Sequence, residues 1–405
     1  MSSSNSFIIL LTGGSGFVGS SIALEALRRG YSVRLALRKR SQFDDWLEKY
    51  PEWKEKLSYV LVEDFVKKGA FDEAVKGVDF VCHTATPFDF APKDAKRDVI
   101  DPAIDGIKSI LASAKGSLSI KSFIYTSTIN TYYDVTNPPN EVLTEKDWAS
   151  FTYEESCKLS NDKGMLIYSA SKTLAEKAAW YFMKTEKPSF TLTTLAPAYV
   201  LGYNPQPNLT WKNAKQASTW GWTAQLLDHT EGPPSDAPAV YVNSHDVAVA
   251  HVSALTSPQA ANKRYLLVGG PLSYPKIVEI ARKVNPEQAS RWSVPEEPKQ
   301  QREPKFDASA AERDLGFKYI GAKQTVKSFV EQILALPGAM GAGLALGGPA
   351  SLLIAYLWWT SVICAIAECQ LELVTFWPTD IGTARNAGRY VDEALGFATG
   401  WNFYP

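Results

Sequence analysis

Tyr168 and Lys172 are the two residues of this sequence whose types and spacing best suit acid–base chemistry. Residues four apart share one face of a helix, and the pattern of residues 165–183 predicts such a helix. A lysine cation beside a phenol favours the phenolate, so it lowers the phenol pKa from its ordinary value of about 10. The pair is therefore predicted to exchange a proton with a bound molecule near neutral pH.

Ser127 and Thr128 offer a hydroxyl group that could orient a carbonyl beside that phenol. Both follow the apolar run Lys121–Thr126, which predicts a buried strand that ends where they begin. Either hydroxyl could hold the carbonyl, and the other would then cap the end of the strand.

A glycine-rich segment links the first predicted strand, Phe7–Leu11, to a helix predicted over Val18–Arg29. Its glycines allow a sharp turn, a close approach of the backbone to a pyrophosphate, and tight packing of the helix on the sheet. The start of the helix adds unpaired N–H groups and a partial positive charge. A dinucleotide cofactor is therefore expected on this loop. The residues predicted to contact it are Thr12, Gly13, Ser15, Gly16, Phe17, Val18 and Gly19.

Three cations, Arg38 to Arg40, follow the second predicted strand. A cofactor with a free ribose 2′-hydroxyl usually meets an acidic residue at this place, and none is present. Arg38 and Lys39 suit a 2′-phosphate instead, because an arginine can bind it through two parallel hydrogen bonds. NADP(H) is therefore the expected cofactor, and Arg40 is expected to remain in solvent. Asp64, just past the third predicted strand, is placed to reach the adenine amino group.

These residues need a scaffold that brings strand ends and helix starts together, and the chain up to about residue 335 predicts one. Short apolar runs alternate with amphipathic stretches, which is the pattern of a parallel sheet covered on both faces. Strands are predicted at Phe7–Leu11, Ser32–Leu37, Ser58–Val62, Asp79–His83, Lys121–Thr126 and Thr191–Leu195, and helices at Val18–Arg29, Phe71–Lys76, Lys93–Lys115 and Met165–Met183. The expected fold class is α/β, a Rossmann-type doubly wound sheet.

A smaller substrate lobe is expected after Pro197, where the chain becomes rich in Pro, Asn, Trp and Gly. The cofactor part is predicted to comprise about residues 5–198 and 238–256, and the lobe residues 199–237 and 257–335. The elements predicted for the end of the lobe are a strand at Tyr265–Val268 and helices at Tyr274–Val284 and Thr325–Leu334.

As a set, these motifs resemble the extended short-chain dehydrogenase/reductase family over about residues 5–335. The segment Thr12–Gly19 resembles the family's glycine motif, and Tyr168 and Lys172 resemble its Tyr-x-x-x-Lys pair. His83–Phe88 is similar to a segment of the branch that contains dihydroflavonol 4-reductase and yeast ketone and methylglyoxal reductases. Pro197–Gly202 resembles the family segment that lies along the nicotinamide.

The resemblance implies hydride transfer from NADPH to a ketone or aldehyde, with Tyr168 as proton donor and Lys172 on the nicotinamide ribose. The family's hydroxyl is the last residue of a T-S-S triplet, so Thr128 takes that place and Ser127 remains the alternative. Family dehydratases carry an acidic pair after this hydroxyl, whereas Ile129 and Asn130 follow it here. The resemblance also implies cofactor contacts by Thr84, Ala85, Thr86, Pro197 and Val200, and substrate contacts by Phe88, Phe90, Asn130, Tyr132, Tyr199 and Trp211.

Other functions remain open on the same residues. An epimerase or a hydroxysteroid-type dehydrogenase could use this site, and an NADP-sensing regulator would keep the glycine loop, although such regulators commonly lose the Tyr–Lys pair. The net charge of −1 gives no electrostatic signal for a nucleic-acid partner. The four cysteines lack zinc-type spacing, so no metal is expected, and reduced thiols without a secretion signal predict a cytoplasmic protein. The oligomeric state is left open.

The last part of the chain differs in composition. No charged residue occurs from Gln332 to Ala367, and the stretch 343–367 is long enough to span a bilayer, which needs about 20 apolar residues. Segments 347–356 and 388–402 resemble the early membrane region of fungal amino-acid permeases. Residues 338–405 are therefore interpreted as a fused permease fragment that could contact a membrane, arising from a true gene fusion or from a mis-joined gene model. A long buried helix is the structural alternative.

Overall fold

A sheet of seven parallel strands forms the centre of the protein in the computed structural model, which describes residues 7–86, 91–214, 218–228, 240–292 and 304–336. The strands of the described chain are β1 Ile8–Thr12, β2 Ser32–Leu37, β3 Leu57–Leu61, β4 Phe80–His83, β5 Ser122–Thr126, β6 Val142–Leu143, β7 Thr191–Pro197, β8 Tyr199–Leu201, β9 Val240–Asn243, β10 Lys263–Leu267, β11 Gly270–Pro271 and β12 Lys305–Phe306. The central sheet has the order β10-β7-β5-β4-β1-β2-β3.

Helices connect the strands and cover both faces of the sheet. They are α1 Phe17–Arg28, α2 Ser41–Lys49, α3 Asp101–Lys115, α4 Tyr153–Ser156, α5 Gly164–Glu186, α6 Trp211–Ala214, α7 Ser218–Asp228, α8 Ser244–Ala254, α9 Tyr274–Val284, α10 Ser309–Leu315 and α11 Ala322–Ala335. Helix α1 packs with α8, and α3 packs with α5. This arrangement confirms the Rossmann-type α/β fold that the alternating pattern predicts.

The apolar runs become strands because both of their faces are covered. All residues of β4 and β5 are buried, as expected for central parallel strands. Successive side chains point to opposite faces, so Ile9 and Leu11 join one apolar core while Leu10 joins the other. Because its side chains alternate between the two faces of the sheet, a single strand contributes to the apolar core on each face.

The strand order reverses between β1 and β4, which lie side by side at the middle of the sheet. In open parallel sheets, ligands bind in the crevice at the carboxyl ends of the strands where the order reverses. The glycine loop follows β1, Thr84 follows β4, and Ser127 follows β5. The topology therefore brings together residues that are far apart in the sequence.

Three of the differences between the predicted elements and the structure have a clear physical reason or bear on the fold. Strand β10 pairs in parallel with β7 as an edge strand of the central sheet, so its assignment to the substrate lobe was wrong. Residues 71–76 form turns instead of a helix, because six residues form too few helical hydrogen bonds to offset nucleation. Helix α2 was not predicted, although Phe43 and Trp46 are buried on one of its faces.

The strands outside the central sheet form a smaller part of the protein. It contains a three-stranded sheet in the order β11-β9-β8, a pairing of β12 with β6, and helices α9 and α11, which pack on each other. No helix among the described residues is both long and apolar enough to cross a membrane. The predicted membrane segment 343–367 and the whole of 338–405 lie outside the described residues.

Candidate active site

A cavity of about 1250 Å³ opens over the carboxyl ends of the central strands. The residues predicted to contact the cofactor that line it are Thr12, Gly13, Ser15, Gly16, Phe17, Val18, Gly19, Arg38, Thr84, Ala85, Thr86, Tyr168, Lys172, Pro197 and Val200. Thr128 lines the same cavity, so one space contacts both the glycine loop and the candidate catalytic groups.

The glycine loop is shaped by contacts that leave no room for larger residues. Gly13 has a φ of +71°, and a Cβ there would overlap the Thr84 hydroxyl. A Cβ on Gly19 would overlap the Gly13 carbonyl, so α1 can approach the loop only because position 19 is glycine. A Cβ on Gly16 would meet only the Gly13 carbonyl oxygen, at 3.5 Å. The loop backbone is thus open toward the cavity, as a pyrophosphate requires.

Thr12 ties the ends of β1 and β4 together beneath the cavity. Its hydroxyl oxygen accepts hydrogen bonds from the backbone N–H groups of Thr84 and Ala85, each at 3.1 Å. The same oxygen lies 2.9 Å from His83 Nδ1. Burial and, to a smaller extent, the charge of Lys172 lower the pKa of His83 to about 3, so this imidazole is neutral.

Arg38 lines the cavity, whereas Lys39 and Asp64 do not. Asp64 Oδ1 instead accepts the Val66 N–H at 3.0 Å, which is a local turn contact. The contact of Asp64 with an adenine stays a prediction, and the carboxylate contacts its own loop in this structure. Arg40 donates to the Tyr59 hydroxyl at 3.1 Å, outside the cavity.

Gln42, in the first turn of α2, was not among the site residues predicted from the sequence. Its Oε1 accepts the backbone N–H groups of Arg38 and Lys39 at 3.0 and 3.2 Å. Its Nε2 donates to the Ser15 hydroxyl at 2.8 Å. Gln42 thus connects the glycine loop to the cationic loop. The amphipathic pattern of α2 was the sequence signal that could have located it.

Tyr168 and Thr128 meet at the inner end of the cavity. The Thr128 side chain is hydrogen-bonded to Tyr168, an interaction that lowers the pKa of the phenol, but burial outweighs it and raises the pKa to about 12. Ser127, in contrast, donates to the buried Glu176 carboxylate. Of the two candidate hydroxyls, Thr128 is therefore the one beside the phenol.

Lys172 is buried, and its ammonium group contacts residues of β5 that were not predicted to be its partners. Its Nζ donates to the Thr126 carbonyl at 2.7 Å and to the Tyr125 hydroxyl at 3.1 Å, and it lies 4.5 Å from the centre of the Tyr125 ring. Burial lowers the pKa of Lys172 to about 7, against the opposing effect of the Glu176 charge. The expected lowering of the Tyr168 pKa by Lys172 is corrected here, because burial dominates and the ammonium is bound to β5.

The residues expected to contact substrate fall into three groups. Asn130 and Tyr199 line the cavity, and Asn130 Nδ2 donates to the Ser169 hydroxyl at 3.1 Å. Tyr132 does not line it, since its side chain is fully buried in the core. Tyr133 and Trp222, which the sequence did not suggest, line it instead. Phe88, Phe90 and the side chain of Trp211 lie outside the described residues.

Among the described residues, no cluster of three or more His, Cys, Asp or Glu side chains could hold a metal ion. The polar side chains that line the cavity carry hydroxyls, amides, three phenols, an indole, cations and the carboxylate of Asp162. This set suits binding of an organic cofactor and proton transfer, with the apolar wall around Tyr199 and Trp222 available to an organic substrate.

Comparisons with known proteins agree with this geometry. A family model described as the 3-beta hydroxysteroid dehydrogenase/isomerase family matches residues 10–270, and an amino acid permease model matches residues 335–404. Ketoreductase azaE of Aspergillus niger is 35% identical over 80% of this chain and 97% of its own length. Aldehyde reductase 2 of Sporidiobolus salmonicolor is 31% identical over 72% of this chain and 84% of its own.

A solved structure described as Gre2 in complex with NADPH from Candida albicans has a TM-score of 0.73 and 26% identity. The match covers 81% of this chain and 98% of that one. Each of these three proteins is matched over most of its own length. The chain therefore belongs to the 3-beta hydroxysteroid dehydrogenase/isomerase family, among the reductases of the extended short-chain dehydrogenase/reductase group.

Proposed function

We propose that this protein reduces a ketone or aldehyde group on a small or medium organic molecule at the expense of NADPH. The observation that carries the proposal is the hydrogen bond between Thr128 and Tyr168 in the cavity that also contacts the glycine loop. Relatives named ketoreductase and aldehyde reductase, and the NADPH complex of Gre2, support the reaction class and the cofactor.

NADP(H) is the cofactor, and when bound it supplies or accepts the hydride. The open backbone of the glycine loop and the N-terminus of α1 suit its pyrophosphate. Arg38 is the cation at the edge of the cavity that suits its 2′-phosphate. Lys172 lies on α5 one turn from Tyr168, where its ammonium can hold a ribose hydroxyl.

Tyr168 is the proposed proton donor. Its raised pKa keeps the phenol protonated at neutral pH, which is the state that reduction of a carbonyl needs. Thr128 donates a second hydrogen bond to the carbonyl oxygen, so two donors hold the oxygen on which negative charge develops. After proton transfer, the Thr128 hydroxyl passes its hydrogen bond from the substrate oxygen to the phenolate that remains, as in its contact with Tyr168 in the free site.

The experiment is NADPH oxidation measured against a panel of ketones and aldehydes, with Tyr168→Phe as the matched variant. We expect turnover by the parent, and a loss of about 10²-fold or more in kcat for the variant because general-acid catalysis is removed. Equal turnover by the two proteins would contradict the mechanism. An epimerase would interconvert its substrates with no net consumption of NADPH, and a regulator would bind NADPH without turnover.

Residues 338–405 are proposed to take no part in this reaction. The described residues that line the cavity belong to the unit that ends at Pro337. A membrane contact by residues 343–367 is a separate proposal, which rests on their composition alone. Comparing membrane flotation of the full chain with that of residues 1–337 tests it, and equal flotation of the two would exclude it.

A further inference from the structure

The carboxylate of Glu176 lies fully buried behind the proposed catalytic residues, one helical turn after Lys172 on α5. A buried carboxylate is costly unless it is paired and hydrogen-bonded, so its contacts indicate what it is for. None of the roles given above to Tyr168, Lys172 and Thr128 uses it.

The two carboxylate oxygens of Glu176 receive donors from different elements. Oε2 accepts from the hydroxyls of Ser127 and Thr131, the latter at 3.0 Å. Oε1 accepts from the Thr194 hydroxyl on β7 at 2.8 Å and from Arg264 Nε on β10 at 2.8 Å. It also accepts from Trp180 Nε1 at 3.3 Å. These donors fill the acceptor capacity of a carboxylate.

The Oε2 contacts enclose Thr128 from both sides. Ser127 is the residue before it, and the Thr131 hydroxyl, besides contacting Glu176, lies 3.0 Å from the Thr128 carbonyl oxygen. The Ser127 N–H donates to the Leu195 carbonyl at 2.7 Å, which fixes the same segment to β7. The position of the Thr128 hydroxyl relative to Tyr168 therefore depends on the Glu176 carboxylate.

Arg264 keeps Glu176 ionised. Burial raises the pKa of this carboxyl, but the charge of Arg264 and the hydrogen bonds from Arg264, Ser127 and Thr194 outweigh burial and lower it. The guanidinium lies between two rings, with its central carbon 4.0 Å from the centre of the Tyr132 ring and 3.5 Å from that of Trp148. This stacking fixes a planar cation against the carboxylate.

Lys172 is the second cation beside Glu176. The groups that face it are Tyr125 from β5, His83 from β4, and Tyr168 and Glu176 on its own helix. His83 is neutral and Tyr125 is an un-ionised phenol, because burial raises its pKa well above the ordinary value. Glu176 is therefore the negative charge available to a buried ammonium that burial alone would deprotonate.

We propose that Glu176 is a positioning residue of this active site, which holds Thr128 against Tyr168 through Ser127 and Thr131 and is the counter-charge of the buried Lys172 one helical turn away. The inference rests on the proposed function of Thr128, Tyr168 and Lys172. It assigns a second role to an ion pair that would otherwise be only a structural link between α5 and β10.

The first test compares the pH dependence of kcat at saturating NADPH for the parent, Glu176→Gln and Glu176→Asp. The Glu176 charge raises the pKa of Lys172. Its removal in Glu176→Gln should therefore move the alkaline limb of the kcat–pH profile to lower pH by about one unit. Glu176→Asp keeps the charge but shortens the reach, so it should lower kcat while its limb stays near that of the parent. Coincident limbs for the Gln and Asp variants would overturn the proposal.

The matched control is Glu186→Gln, on the same helix. Glu186 forms an exposed ion pair with Lys115 at 2.5 Å and does not line the cavity. Its variant should keep both the kcat and the pH profile of the parent. A shift of its limb equal to that of Glu176→Gln would mean that any carboxylate of α5 has this effect, and the proposal would fail.

A double variant separates charge from stability. Glu176→Gln alone leaves the Arg264 charge buried and unpaired, which destabilises the fold. Glu176→Gln with Arg264→Met removes both charges, so its melting temperature should recover toward that of the parent while the limb stays shifted. A stable double variant with the parent's pH profile would show a structural role only. Tyr168→Phe, run in parallel, reports separately on the proposed function.

Discussion

At the scale of single residues, the site combines a phenol that holds its proton with a lysine that is close to losing one. Burial raises the pKa of Tyr168 to about 12 and lowers that of Lys172 to about 7. A donor of this kind gives up its proton only where the resulting phenolate is stabilised. Thr128 is hydrogen-bonded to it, so the hydroxyl is expected to matter more for kcat than for binding.

Replacement of Thr128 by Val tests the hydroxyl at nearly constant volume. We expect kcat to fall about 10²-fold, because one donor to the developing negative charge is lost, while the KM for NADPH changes little. Thr128→Ser keeps the hydroxyl and should recover most of the rate. Steady-state kinetics of the two variants measure this, and a valine variant as active as the serine variant would remove Thr128 from the mechanism.

Arg38 and Arg40 form a matched pair for cofactor choice. Arg38 lines the cavity, whereas Arg40 contacts Tyr59. Loss of a hydrogen bond to a charged group costs about 1.5–3 kcal/mol, so Arg38→Ala should raise the KM for NADPH by roughly tenfold or more. In the same Arg38→Ala variant, the KM for NADH should stay unchanged. In Arg40→Ala, the KM for NADPH and the KM for NADH should both stay unchanged. Equal effects of the two substitutions would disprove a specific 2′-phosphate contact.

At the scale of elements, the parts of the site that follow a strong local pattern were predictable from the sequence. The β1–loop–α1 segment and the spacing of Tyr168 and Lys172 on α5 are of this kind. The long-range contacts of Gln42, Glu176 and Arg264 were not predictable, because they join residues that lie 27 to 133 positions apart in the sequence. Strand β10 was assigned to the wrong sheet for the same reason. An apolar run predicts a buried strand but does not show whether that strand pairs with β7 or with a strand of a separate lobe.

The close contact between α1 and the glycine loop can be tested by substituting two of its glycines. A Cβ on Gly19 would overlap backbone, so Gly19→Ala should destabilise the fold by about 1–3 kcal/mol, as overpacking does. A Cβ on Gly16 finds ordinary contact distance, so Gly16→Ala should keep the melting temperature and weaken NADPH binding instead. Thermal unfolding and NADPH titration of both variants separate these effects. An equal loss of stability in the two would contradict the geometry.

At the scale of the whole molecule, the candidate active site is assembled from segments that the fold alone brings together. Residues at the ends of β1, β4, β5 and β7 and on α5 all line one cavity. The same folding unit ends at Pro337, while the amino acid permease model matches residues 335–404. The reductase chemistry and the permease-like sequence therefore belong to different parts of the chain, and a domain with its own core can fold alone.

Truncation after Pro337 tests this division directly. We expect residues 1–337 to keep the kcat, the KM for NADPH and the melting temperature of the full chain, because the described cavity and the three described clusters of buried apolar residues lie within them. The measurements are NADPH oxidation and thermal unfolding of both proteins at equal concentration. A truncated chain that folds but loses turnover would place residues 338–405 in the reaction, whereas a lower melting temperature at equal kcat would limit them to a stabilising role.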